Sequence, residues 1–206
     1  MDSGFWFTVT LVCLLGAMSP GPSLVVIVNL SLSQGRMAGL IAAISHGLMI
    51  GLFAFATATG LVAIIDRNPQ IFNGIQIAGC LFFIVMALRL LFAKPRRDAY
   101  SIVSAQSSIW LAARDGLLIA LVNPKIIVFF TALFSQFVDA SSQHWEKVLL
   151  ALIAGGVDMF WYTLMALVIS HSTSLFAYQR RNRWLEKFFA LVLLVIGVSF
   201  IIQITG

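Results

Sequence analysis

Apolar runs separated by short polar connections fill this chain. Six are long enough to cross a bilayer, which takes about 20 apolar residues. They cover 5–34, 39–65, 70–93, 114–138, 147–171 and 187–204. The pattern predicts an all-α membrane protein with six transmembrane helices. Two runs are interrupted at mid-length, by Ser19-Pro20-Gly21-Pro22 in the first and Asn123-Pro124-Lys125 in the fourth. Each interruption sets a polar, N-cap type of residue before a proline, the usual start of a helix, where a helix should already be running. Proline removes a backbone donor and its ring collides with the preceding turn, so helices 1 and 4 are predicted to break there. Backbone freed at membrane depth persists only where protein covers it or where it lines a wet cavity.

The two prolines, Pro20 and Pro124, lie 104 residues apart, about half of the 206-residue chain. The one long polar connection, 94–113, is Ser-rich and carries Lys94, Arg96 and Arg97. It divides the chain into a first three-helix unit, 1–93, and a second, 114–206. An odd number of spans per unit inserts the second upside down relative to the first. Inverted repeats with paired broken helices are the sequence pointer to a secondary transporter with a midplane site. Gly35/Gly39 and Gly47/Gly51 have the spacing that lets membrane helices approach closely, and Gly155 and Gly156 sit in the fifth span.

Composition sharpens the class. The chain is 60% hydrophobic and only 10% charged, with mean hydropathy +0.98. Soluble domains carry roughly 25% charged residues. The beginning of the chain has no basic region of the signal-peptide kind, so the first apolar run is expected to be retained. With the loops assigned alternately to two sides, Arg36, Arg89, Lys94, Arg96, Arg97, Arg114, Arg180, Arg181, Arg183 and Lys187 fall on one side, and Arg67 and Lys147 on the other. By the positive-inside rule the richer side is cytoplasmic and both termini face outward. The net charge of +5 thus reads as topology, with no nucleic-acid partner. Cys13 and Cys80, in the first and third spans, form neither a disulfide framework nor a metal-ligand spacing, and no metal or other cofactor is expected.

Ionisable groups inside a span cost about 2.5–3.5 kcal/mol each, so three of them require reasons. Lys125 follows the second break, where a helix N-terminus already carries partial positive charge, and the two together would hold a carboxylate. Asp158, near the centre of the fifth span, would exchange a proton, hold a substrate ammonium, or pair with Lys125. His46, in the second span, is a candidate proton relay, since histidine is the side chain that titrates near neutral pH. A helix-packing histidine is the plainer reading. Trp161 and Tyr162, three and four residues past Asp158, share its helix face and are candidates for the cavity wall, with core packing the plainer reading. Ser19, Pro20, Gly21, Pro22, Asn123, Pro124, Lys125, Asp158 and Trp161 are the candidate substrate-binding residues, and Asp158 and His46 the candidate proton-coupling residues. Asn29, Thr131, Ser135 and Gln136 are further candidates for the cavity wall. The prolines should also free the carbonyls of Gly16, Met18 and Ala120. Donors and acceptors together suit a small zwitterion.

Ser-Pro-Gly-Pro in the first span and Asn-Pro-Lys in the fourth, within six spans and about 200 residues, make the chain resemble the LysE/RhtB superfamily of amino-acid exporters. The stretch Gly116-Leu117-Leu118-Ile119-Ala120-Leu121-Val122-Asn123-Pro124-Lys125, continuing to Phe129-Phe130 and Gln136-Phe137, carries the same resemblance. It implies proton-driven export of amino acids or their derivatives across the bacterial inner membrane. Members of the basic-amino-acid branch carry an acidic residue in the second span where this chain has His46. That implies a neutral substrate of the homoserine, threonine or leucine type. A homodimer stays open. Rival classes are a membrane thiol-redox relay through Cys13 and Cys80 and an exporter of another small solute, such as a metal ion. An intramembrane hydrolase would want a nucleophile beside a base, and no such local arrangement stands in the sequence; no catalytic residue is expected.

Overall fold

The computed structural model describes residues 3–19, 21–92, 108–139, 141–169 and 183–205. Among these it is all-helical. The helices are α1 (Ser3–Met18), α2 (Pro22–Ser33), α3 (Arg36–Arg67), α4 (Pro69–Leu91), α5 (Ile109–Val122), α6 (Pro124–Phe137), α7 (His144–Ile169) and α8 (Arg183–Thr205). By length and composition four helices can cross a membrane, namely α3, α4, α7 and the 187–204 part of α8. Two bent pairs each pass the same test together, giving up to six spans. The pairs are α1 with α2, bent by 59°, and α5 with α6, bent by 56°.

Local chemistry sets the helix limits. Proline opens α2, α4 and α6 at a first-turn position, where its missing N–H would have had no helical partner. Asn68 caps α4 by accepting from Ile71 N–H at 3.1 Å. Gly35 has φ of 90°, which favours glycine, and this turn lets α3 double back on α2. At the start of α7, Glu146 reaches back to Gln143 N–H at 2.8 Å, in the manner of a capping box. Helix α3 spans 32 residues, about 48 Å at 1.5 Å per residue, so it outreaches the 39–65 run and the hydrocarbon layer. Helix α5 starts at Ile109, with the Ser108 hydroxyl accepting from Trp110 N–H, so 109–113 of the stretch read as a polar connector are helical. Most of that connector, 93–107, lies outside the described residues, as do Pro20, Arg180, Arg181 and His171.

Helices α3 and α7 form the most extensive contact, with α5 on α3, α1 on α7, and α4 between α8 and α6. The α3–α7 crossing depends on glycine. A Cβ at Gly155 would stand 2.7 Å from the Gly47 carbonyl oxygen and 3.0 Å from Gly51 Cα, both backbone atoms that cannot swing away. Val9, Ile50, Phe83, Leu133, Phe134 and Leu193 fill one apolar core. Ile27, Val28, Ala42, Ala43, Trp161 and Ala166 fill a second, beside α2. Between them lies the polar site.

Candidate functional site

The second break is organised by one side chain. Asn123 Oδ1 accepts from Lys125 N–H at 3.1 Å, and the Asn123 carbonyl accepts from Ile126 and Ile127 N–H at 3.0 and 3.2 Å. The first turn of α6 is therefore capped from within. The same side chain reaches outward, because Asn123 Nδ2 donates to Ser23 Oγ at 3.1 Å and so ties this break to the first turn of α2. Lys125 crosses the same gap, its Nζ donating to the Ser19 carbonyl at 3.1 Å.

The first break is organised differently. Gly21, extended at φ −165° and ψ −178°, precedes α2 and gives no side-chain cap. A helix start leaves its first N–H groups to outside partners. Here that start faces Lys125, whose Nζ and Cδ stand 3.6 Å from where a Gly21 Cβ would be. The Ser19 hydroxyl is buried and has no hydrogen-bond partner among the described residues. The Gly16 carbonyl, expected to be free, accepts from Ser19 N–H at 3.3 Å, because the chain tightens at the end of α1.

Behind the gap stands a line of three groups. Asp158 Oδ2 lies 2.6 Å from His46 Nδ1, and His46 Nε2 lies 2.9 Å from Ser23 Oγ. With Asp158 as the carboxylate, which only accepts, Nδ1 carries the shared hydrogen. His46 is fully buried, and the Tyr162 ring stands edge-on to it with centroids 5.0 Å apart. The order Ser, His, Asp is that of a hydrolase triad. The three residues come from α2, α3 and α7, where linear spacing cannot reveal them. Ser23 Oγ is also held by Asn123.

The gap closes into a cavity of about 30 Å³, lined among others by Ser19, Gly21, Ser23, Asn123, Lys125, Phe129, Asp158 and Tyr162. A water needs about 10–15 Å³ on this measure, so the space holds about two. The structure thus gathers Ser19, Gly21, Asn123, Lys125 and Asp158 around one hollow. His46 stands behind them through Ser23 and Asp158. Pro22 and Pro124 shape the helix starts without lining the hollow, and Pro20 lies outside the described residues. Trp161 packs in the core beside α2, its indole N–H buried without a hydrogen-bond partner among the described residues. Thr131 and Ser135 spend their hydroxyls on the carbonyls of Ile127 and Ala132, and Gln136 bonds the Gln76 carbonyl, so none reaches the cavity. Asn29 also lies outside its lining. Cys13 lines the cavity, whereas Cys80 packs under Gly197 of α8. Among the described residues no three His, Cys, Asp or Glu side chains converge as a metal site.

Sequence reasoning missed Ser23 and Phe129; of the two aromatics on the face of Asp158, Tyr162 lines the cavity and Trp161 does not. Ser23 had a readable signal, since it directly follows the first break, as Lys125 follows the second.

The family described as LysE type translocator matches residues 14–204. The chain is 25% identical to the threonine efflux protein of Escherichia coli K12 over 204 residues, 96% of this chain and 98% of that one. It has the same identity and coverage with the threonine efflux protein of Salmonella typhi. To the leucine efflux protein of Klebsiella pneumoniae it is 25% identical over 171 residues, 82% of this chain and 79% of that one. No solved structure matches it. With the family match covering nearly the whole length, the chain belongs to the LysE type translocators, and it is a membrane transporter rather than an enzyme.

Proposed function

We propose that the chain exports a small neutral amino acid, of the threonine, homoserine or leucine type, from the bacterial cytoplasm in exchange for protons. The observation that carries this reading is the meeting of Lys125 Nζ with the uncapped start of α2 inside a cavity that also holds Asp158. An ammonium group and a helix N-terminus converge on one spot, which suits the substrate carboxylate. The Ser19 hydroxyl adds a donor with no other use. Asp158 offers a place for the substrate ammonium, and its bond to His46 joins that place to a side chain that can take a proton. The names of the threonine and leucine efflux relatives support an aliphatic or hydroxylated neutral substrate.

A two-fold inverted architecture, 1–93 against 114–206, with both termini outside, completes the reading. Its support is the pairing of contacts. Helix α5 packs on α3 as α1 packs on α7, while α3 meets α7 and α4 meets α8. A hollow with room for two waters is smaller than a threonine, so loading requires the halves to rock about the two bends, as alternating access does.

The test is uptake of labelled L-threonine and L-leucine into inside-out vesicles under an imposed proton gradient. Uptake that collapses on adding a protonophore, and is lost in Lys125→Ala, is the expected result. Uptake indifferent to the protonophore would remove proton exchange. Normal uptake by Lys125→Ala would remove the site.

A further inference from the structure

Ser23 joins the proton-carrying pair to the substrate cavity. We infer that its hydroxyl is the element through which protonation of His46 expels the substrate ammonium, an inference that rests on the proton-exchange reading above.

The argument is a count of hydrogens around one oxygen. Ser23 Oγ has three fixed neighbours: its own Cβ, Asn123 Nδ2 at 3.1 Å and His46 Nε2 at 2.9 Å. An amide nitrogen can only donate, so one lone pair of Oγ is always taken by Asn123. With His46 neutral and Nδ1–H given to Asp158, Nε2 is an acceptor and the Ser23 hydrogen must point to it. The fourth tetrahedral position on Oγ is then a lone pair. With His46 protonated, Nε2–H donates and occupies that second lone pair. The hydroxyl hydrogen must rotate into the fourth position. One proton on the imidazole therefore converts that position from acceptor to donor, without movement of any heavy atom.

Ser23 is 2% exposed and lines the cavity, so the fourth position is the part of Oγ left for a guest. A substrate ammonium is welcomed by the lone pair and repelled by the hydrogen. Protonation also neutralises Asp158 through the same imidazole. Both changes have the sign that proton–substrate exchange requires. The groups around His46 agree with this assignment. From α7 it meets Asp158 and Tyr162, and from α2 it meets Ser23. Lys125 of α6 and Cys13 of α1 line the same cavity as Ser23 and Asp158. Ser23 is thus a substrate-contacting residue that also carries the coupling.

Two measurements on full-length protein in proteoliposomes decide the matter. The first is L-threonine counterflow, which needs no net proton movement, at about pH 8 and about pH 6, across which histidine titrates. Wild type should lose threonine affinity about tenfold on acidification. Ser23→Ala, having lost a substrate contact, should bind threonine more weakly at about pH 8 and should flatten that change to about twofold or less, and Ser23→Thr should restore both. The second is 15N spectroscopy of labelled histidine, which needs no substrate. At high pH His46 should be the Nδ1–H tautomer in wild type and in Ser23→Ala alike, because Asp158 fixes it, while the Nε2 resonance should move in Ser23→Ala as its hydrogen bond is lost. A Ser23→Ala protein with wild-type pH dependence, or one that has lost counterflow altogether, would overturn the inference. A wild type with no pH dependence at all, or a His46→Gln variant that keeps it, would overturn the proton-exchange reading instead.

Discussion

The two helix breaks bend by nearly the same angle, 59° and 56°, yet their ends are finished in opposite ways. At the second break Asn123 turns back and satisfies Lys125 N–H, so α6 begins with its own polar lid. At the first break Gly21 has no side chain to turn back, and α2 begins uncapped. The finished break then sends its spare groups across to the unfinished one, Lys125 Nζ to the Ser19 carbonyl and Asn123 Nδ2 to Ser23 Oγ. One proline motif thus reaches across, and the other receives it. The two helix starts differ at matching places, Gly21 against Asn123 and Ser23 against Lys125.

The comparison breaks most easily at Lys125. If the cation of the second break serves the open end of the first, Lys125→Ala should lower export by about a hundredfold, roughly 3 kcal/mol, the scale of removing one partner of a buried charge contact. Lys125→Arg, which keeps the charge in a bulkier planar head, should recover only part of this in so small a cavity. Initial rates of threonine efflux from preloaded cells measure both. Equal rates in wild type and Lys125→Ala would mean that the two breaks do not cooperate.

Next in size is the crossing that holds His46 against Asp158. Gly155→Ala drives a methyl into the Gly47 carbonyl and the Gly51 backbone, so α3 and α7 must part, at a cost of about 1–3 kcal/mol. Gly156→Ala meets nothing within 4 Å and should stay within about 0.5 kcal/mol of wild type. The pair of thermal midpoints in detergent separates packing at the site from a general dislike of added methyls.

These residues were not equally legible in the sequence. The breaks, Lys125, Asp158 and His46 announced themselves because proline and ionisable groups are costly at membrane depth, and cost can be read from one position. The family match and the all-helical fold follow the same apolar runs. The bond from His46 to Asp158 joins residues 112 apart, and no local period encodes a partner at that distance. Ser23 escaped for a related reason: a serine is unremarkable in a first helical turn until two other helices deliver an imidazole and an amide to it. Thr131 and Ser135 misled in the opposite direction, since hydroxyls in a helix interior readily bond the carbonyl of the preceding turn. The early start of α5 at Ile109 was hidden by the Ser-rich stretch before it, whose last member, Ser108, is the cap.

Asn123 tests what finishing a break contributes. Asn123→Ala removes both the cap and the tie to Ser23, and should destabilise the fold by about 1 kcal/mol, as lost caps do. Asn123→Asp keeps an oxygen for Lys125 N–H but has no hydrogen for Ser23. It should recover most of the stability and little of the transport, because a carboxylate beside Lys125 competes with the substrate for the same cation. Melting and efflux measured on the same preparations would show the two properties separating. If they rise and fall together, the cap and the tie are one function.

The smallest effect is the sharpest probe of the asymmetry. Gly21 has an extended backbone that any residue can adopt, and a Cβ there would meet Lys125 at 3.6 Å and the Ser19 carbonyl oxygen at 3.9 Å, both ordinary contacts. Gly21→Ala should therefore be nearly silent in stability and transport. Gly21→Asn copies the finish of the second break into the first, giving α2 a cap of its own. Relative to glycine a cap is worth only a few tenths of a kcal/mol, so the melting temperature should rise slightly. The same side chain would occupy the N–H groups that the substrate carboxylate needs, and apparent threonine affinity should fall about threefold, roughly 0.6 kcal/mol, within the range of charge–helix interactions. Stability and affinity moving in opposite directions is an outcome that general damage cannot produce. A Gly21→Asn protein that binds threonine as well as Gly21→Ala would mean that the start of α2 is not where the carboxylate goes.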